Sequence, residues 1–179
     1  MNLAGLILKI AGWKVSITVP DHPKCIISVA PHTSNWDFIL GKLAYASVKR
    51  HAGFLMKESW FFFPLKYILK AIGGIPVPRH RGSSLVDSIV NKFNRSSRMV
   101  LAITPEGTRS RTSEWRYGIF YIARDAGVPI MLGAIDYKKK IISITDEFVP
   151  TDDIQADMDS LKNYYKNFTA KYPDKFTTQ

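Results

Sequence analysis

Three short runs, Cys25–Ala30, Met99–Ile103 and Pro129–Ile135, are apolar at nearly every position. A strand with one wet face alternates apolar and polar residues, whereas a strand covered on both faces does not. The runs therefore call for a sheet with helices on both sides. Helical spacing supplies those helices: Trp36, Ile39, Leu40, Leu43 and Ala44; then Leu85, Val86, Ile89, Val90 and Phe93; then Ile154, Met158, Leu161, Tyr165 and Phe168. Pro64 suits the first turn of a helix running to about Ile72. Trp115, Ile119, Ile122 and Ala126 continue another, which Gly127 stops. Gly53–Lys57 reads as a further strand, and Gly74–Pro78 as an extended segment that its prolines confine to a sheet edge. Ile141–Ile144 forms a hairpin with the preceding strand across Lys138–Lys140. The expected fold class is α/β. Residues 1–179 make a single domain whose mostly parallel central sheet is covered by helices, with an antiparallel addition late in the chain.

Cys25 is the one cysteine, so no internal disulfide framework exists, and its apolar run suggests a buried, inert thiol. No pattern of metal ligands stands out. The net charge of +10 is concentrated: residues 49–124 carry 14 Lys and Arg against 4 Asp and Glu. Such a field favours anionic partners, namely phosphate-bearing small molecules, nucleic acid or an acidic membrane surface. No stretch reaches the roughly 18 uncharged apolar residues of a membrane span. Lys9 interrupts the apolar N-terminus, and no cleavage site follows, so a signal peptide is not expected. Leu3, Leu6, Ile7, Ile10 and Trp13 share one helical face within residues 1–20. That helix either packs on the core or lies in a membrane interface with Trp13 at headgroup level. Trp60-Phe61-Phe62-Phe63, flanked by Lys57, Lys66 and Lys70, suits a membrane interface or an acyl-chain entrance, and equally the entry to a core helix.

Two polar strings follow apolar strands. Pro31-His32-Thr33-Ser34-Asn35-Trp36-Asp37 follows the first, and Pro105-Glu106-Gly107-Thr108-Arg109-Ser110 follows the strand ending near Ile103. Ligands of α/β sheets lie beyond the carboxyl ends of strands, so both strings belong on one rim. Five positions of helix turn about 500°, which rules out a shared helix face for His32 and Asp37. They meet if His32 is on the loop, Ser34 or Asn35 caps the helix, and Asp37 sits in its first turn. Asp37 then fixes the imidazole tautomer and leaves the other nitrogen of His32 to take a proton from a hydroxyl. Gly107 allows close backbone approach, Thr108 offers a hydroxyl, and Arg109 offers a fork of donors matched to phosphate. Glu106 would hold Arg109 or contact polar groups of a substrate. Gly73–Pro78 fixes an irregular backbone that ends at Arg79, a further cation. Singly, each string also fits an ordinary polar turn.

In this order, over roughly residues 25–135, the strings resemble the lysophosphatidic acid acyltransferase, or glycerolipid acyltransferase, superfamily. The His-x4-Asp motif is matched by His32 and Asp37, a Gly-Ile-Pro-like block by Gly74, Ile75 and Arg79, an upstream lysine by Lys57, the Glu-Gly-Thr-Arg-Ser motif by Glu106 to Ser110, and a hydrophobic-Pro pair by Val128-Pro129-Ile130. The resemblance implies transfer of a fatty acyl group from acyl-CoA or acyl-carrier protein to a lysolipid hydroxyl, first of all 1-acylglycerol-3-phosphate. It implies His32 as base, Asp37 as its orienter, and Lys57, Arg79 and Arg109 near the acceptor phosphate. The thioester is a co-substrate, and neither cofactor nor metal is expected. The expected partners are the lysolipid, anionic lipids and acyl-carrier protein, on the cytoplasmic face of a membrane as a peripheral protein. A non-catalytic module docking on anionic membranes is the rival; it has no need of His32 with Asp37. No nucleic-acid recognition module is identifiable. The chain is shorter than many members of the superfamily, which leaves the acceptor and the depth of membrane engagement open.

Overall fold

Neighbouring residues of the apolar runs part to opposite faces of one sheet. Ile26, Leu101 and Ile130 join one hydrophobic cluster, while Cys25, Ile27, Val100 and Met131 join another. This computed structural model describes residues 2–77 and 85–179. The elements are α1 (Leu3–Ile10), β1 (Lys14–Ile17), β2 (Lys24–Val29), α2 (Asn35–Ser47), β3 (Gly53–Lys57), α3 (Leu65–Ala71), β4 (Gly74–Val77), α4 (Leu85–Arg95), β5 (Met99–Ile103), α5 (Gly118–Ala126), β6 (Ile130–Asp136), β7 (Ile141–Phe148) and α6 (Ile154–Tyr165). The seven strands lie in the order β1-β7-β6-β2-β5-β3-β4.

Every pairing is parallel except β6 with β7. The expected hairpin across Lys138–Lys140 thus supplies the late antiparallel addition, and the prolines of Gly74–Val77 do lie at an edge. Residues of α4, α5 and α6 fill one face of the sheet around Phe93, Phe120 and Tyr165. On the other face α2 contributes Leu40, Ala44 and Tyr45, and α1 contributes Leu8. Gly127 ends α5 at φ +61, the left-handed conformation that glycine adopts without a Cβ penalty.

Three expectations change. The N-terminal helix stops at Ile10, and residues 14–17 form an edge strand beside β7. Gly12, at φ +79, breaks the helix, and the alternation Val15, Ile17 against Lys14, Ser16 then suits a sheet edge. Trp13 lies outside the helix and sets its ring edge-on to Tyr137 at a centroid distance of 5.1 Å. The helix packs on the core through Leu8, and of the two alternatives for the face of Leu3, Leu6, Ile7 and Ile10 the core is not the one observed, since all four are exposed. Finally, Trp115 is buried but precedes α5, which begins only at Gly118.

Candidate active site

The strands β5, β2 and β6 are neighbours and run the same way, with Ser28 level with Ile103 and Val29 level with Gly133. Their carboxyl ends therefore deliver Glu106, His32 and Tyr137 to one stretch of the rim. Beyond β2 the chain turns into α2, where Ser34 is the N-cap and Asp37 the third helical residue. The Ser34 hydroxyl accepts from the Trp36 amide at 3.2 Å, while the Asp37 carboxylate reaches back to the Ser34 amide, a capping box. The expected start of the helix between His32 and Asp37 is where the structure has it.

Asp37 is 2% exposed and fully engaged. Its Oδ2 accepts from the amides of Thr33 and Ser34, each at 2.8 Å, and lies 3.4 Å from His32 Nδ1. Its Oδ1 accepts from the Tyr137 hydroxyl at 2.6 Å. Burial alone would lift the pKa of this carboxyl; the bonds from His32, Tyr137, Ser34 and Thr33 outweigh it and hold Asp37 below the ordinary carboxylate range. An ionised carboxylate on Nδ1 favours a proton there, which leaves Nε2 as the basic nitrogen. The His32 side chain is 19% exposed and lines the cavity of the site.

Glu106 does not hold Arg109. It turns inward, 5% exposed, and Oε2 accepts from the His32 amide at 2.8 Å. Burial, helped by the nearby Asp37 charge and opposed by the His32 amide, pushes its pKa up to about 8. Glu106 thus positions the backbone of His32. Arg109 instead donates from Nη1 to Asn35 Oδ1, in the first turn of α2. Thr108 Oγ1 accepts from the Ser110 amide at 3.1 Å and tightens the turn, in which Gly107 has φ +65. His32, Asp37, Asn35, Thr108 and Arg109 all line one cavity of about 1120 Å³, whose walls continue into apolar side chains such as Phe38 and Ile119. Lys57 ends β3, is exposed, and does not line this cavity. Arg79 lies outside the described residues.

Sequence reasoning missed three contributors. Tyr137 is identifiable only once β6 is known to lie beside β2. Arg116 lines the cavity near Gly107, but no string around it suggested a role. The third is the segment after α6, which returns to the rim. The Thr169 carbonyl accepts from the Tyr137 amide at 2.9 Å, the Tyr172 amide donates to Thr33 Oγ1 at 3.3 Å, and Lys171 Nζ lies 5.1 Å from the Trp36 ring centre.

A family model described as Acyltransferase matches residues 16–134. That span starts a little before the segment that carried the sequence resemblance and ends at the same place. Among solved structures, the chain is similar to the 1-acyl-sn-glycerophosphate acyltransferase PlsC from Thermotoga maritima. The two are 17% identical, the match covers 94% of this chain and 78% of that one, and the TM-score is 0.62. At that identity the likeness shows the fold. No curated protein matches the sequence.

Proposed function

We propose, from the premise that this chain belongs to the acyltransferase family, that it moves a fatty acyl group from a thioester, acyl-CoA or acyl-carrier protein, to the hydroxyl of a phosphate-bearing lysolipid such as 1-acylglycerol-3-phosphate. The observation that carries this reading is the His32–Asp37 pair at 3.4 Å in the same cavity as Arg109. The transfer is direct. The acceptor oxygen attacks the thioester carbonyl while His32 Nε2 takes its proton. The carbon–sulfur bond then breaks, and the thiolate leaves as thiol with the proton that His32 held. A thioester is activated enough that no serine or cysteine nucleophile is needed, and Cys25 is buried with its thiol pushed up to about 12, far from a nucleophile's range. Arg109 grips the phosphate and so fixes the hydroxyl within reach of the imidazole. The apolar wall of the cavity takes the acyl chain.

Membrane docking accompanies the chemistry in this reading. No helix among the described residues is long and apolar enough to cross a membrane. Leu3 and Ile10 of α1 are 72% and 79% exposed, and Phe63, before α3, is 76% exposed beside Lys66 and Lys70. Outward apolar side chains with lysines suit the headgroup region of an anionic leaflet. We place the protein peripherally on the cytoplasmic face.

Release of free thiol, followed across a panel of lysolipids with acyl-CoA and acyl-carrier protein as donors, tests the reading. Thiol should appear only when a lysolipid is added. His32→Ala should lose at least about 10²-fold in kcat while remaining folded, the scale of general-base catalysis. A folded His32→Ala protein with near-normal turnover removes His32 as the base.

A further inference from the structure

We propose that Arg116 is a phosphate-binding residue, which together with Arg109 makes a two-guanidinium site on either side of the Gly107 turn. The inference deepens the acyl-transfer reading and rests on it for the identity of the ligand. Three features of the frame lead to it.

The backbone at residue 116 is fixed from both sides. Trp115 is 4% exposed, its ring against Tyr165 and Phe176, with Nε1 donating to the Thr177 carbonyl at 3.3 Å. The Arg116 amide donates to the Pro105 carbonyl at 2.7 Å, one residue before Glu106. Residue 115 is held inward, so residue 116 turns outward and lines the cavity.

The stem of Arg116 lies against the turn that carries Arg109. A Cβ at position 107 would stand 3.1 Å from Arg116 Cγ and 3.5 Å from its Nε. Glycine at 107 therefore serves two ends: it permits φ +65, and it leaves the lane along which the arginine reaches the cavity.

The charges leave an opening for an anion. Among the described residues Arg116 makes no ion pair. Arg109 bonds to the neutral amide of Asn35, and the two carboxyls of the site are turned to other groups, Asp37 to His32, Tyr137 and the amides of Thr33 and Ser34, and Glu106 to the His32 amide. Two guanidinium groups without a carboxylate, at a cavity that also holds the proposed base, are matched by a phosphate, whose several oxygens accept from both forks. An acceptor such as lysophosphatidate carries a phosphate monoester, and an acyl-CoA or acyl-carrier donor carries phosphate esters as well; the shared chemistry is the phosphate group.

Steady-state kinetics on wild type, Arg116→Ala and Arg116→Lys separate the sources, using short-chain lysophosphatidate, uncharged 1-acylglycerol and acyl-CoA. Arg116→Ala should raise KM for one phosphate-bearing substrate by about tenfold or more, with kcat falling less, and Arg116→Lys should restore part of it because the charge returns without the fork. A rise confined to lysophosphatidate, with 1-acylglycerol unmoved, assigns the acceptor phosphate; a rise in the KM of acyl-CoA assigns the donor. A folded Arg116→Ala protein with neither KM changed overturns the site. Absence of any acyl transfer by the wild type would overturn the acyl-transfer reading instead. Binding of glycerol 3-phosphate followed by calorimetry then still decides Arg116: weaker binding in Arg116→Ala supports the site, and equal binding overturns it.

Discussion

Tyr137 donates to the one oxygen of Asp37 that the Thr33 and Ser34 amides leave free, and it does so at 2.6 Å. The phenol shares the carboxylate's charge with His32. Removing it leaves more negative charge facing the imidazole, so the imidazolium is held more tightly. Tyr137→Phe keeps the ring that packs edge-on against Trp13 and deletes only the hydroxyl. The acidic limb of kcat/KM should therefore move to higher pH. A pH–rate profile for the variant that overlays the wild type would show that the hydroxyl has no part in setting the base. Asp37 and His32 were readable as a pair because the capping grammar of Ser34 is local. Tyr137 stands a hundred residues further on, and nothing near it in the chain marks it.

Helix α1 is apolar nearly all round, and its two halves meet different surroundings. Leu8 is 1% exposed, in contact with a cluster that includes Leu40 of α2 and Ile142 of β7. Leu8→Ala should cost about 2–5 kcal/mol, because the lost contacts and the cavity left behind add. Ile10, 79% exposed, has little packing to lose, and Ile10→Ser should stay within about 0.5 kcal/mol of wild type. If this face docks on lipid, the serine variant should nonetheless sediment less with phosphatidylglycerol-containing vesicles. Denaturation and vesicle sedimentation on the same two proteins check both halves. Equal sedimentation of Ile10→Ser and wild type would remove α1 from the docking surface. The periodicity of Leu3, Leu6, Ile7 and Ile10 pointed to a helix, and a helix it is. It could not say which side faces inward, because nearly every residue around its girth is apolar.

Across the molecule, the buried carboxyl of Glu106 couples folding to pH. Its pKa is lifted from the ordinary 4.5 to about 8, chiefly by burial. Below the unfolded value the group is protonated in both states and costs nothing. As pH rises the unfolded chain gives up the proton first while the folded protein keeps it, so stability declines from about pH 4.5 until the folded group ionises near pH 8. Glu106→Gln keeps an acceptor for the His32 amide and cannot ionise. Chemical denaturation at pH 5 and pH 8 should therefore show the variant gaining on wild type by more than about 1 kcal/mol at the higher pH. A constant difference would mean that Glu106 ionises normally. The α/β class, the apolar central strands, the hairpin and the rim shared by His32 and Arg109 were all legible in the chain. Each follows from short-range rules: apolar runs, turn residues, helix caps, and motifs placed just after strands. The strand order β6-β2-β5, the inward turn of Glu106, the return of residues 169–172 to the rim and the arrival of Arg116 at the Gly107 turn were decided by tertiary packing alone. Periodicity records which residues of a segment must be covered; it carries no information about which distant segment does the covering.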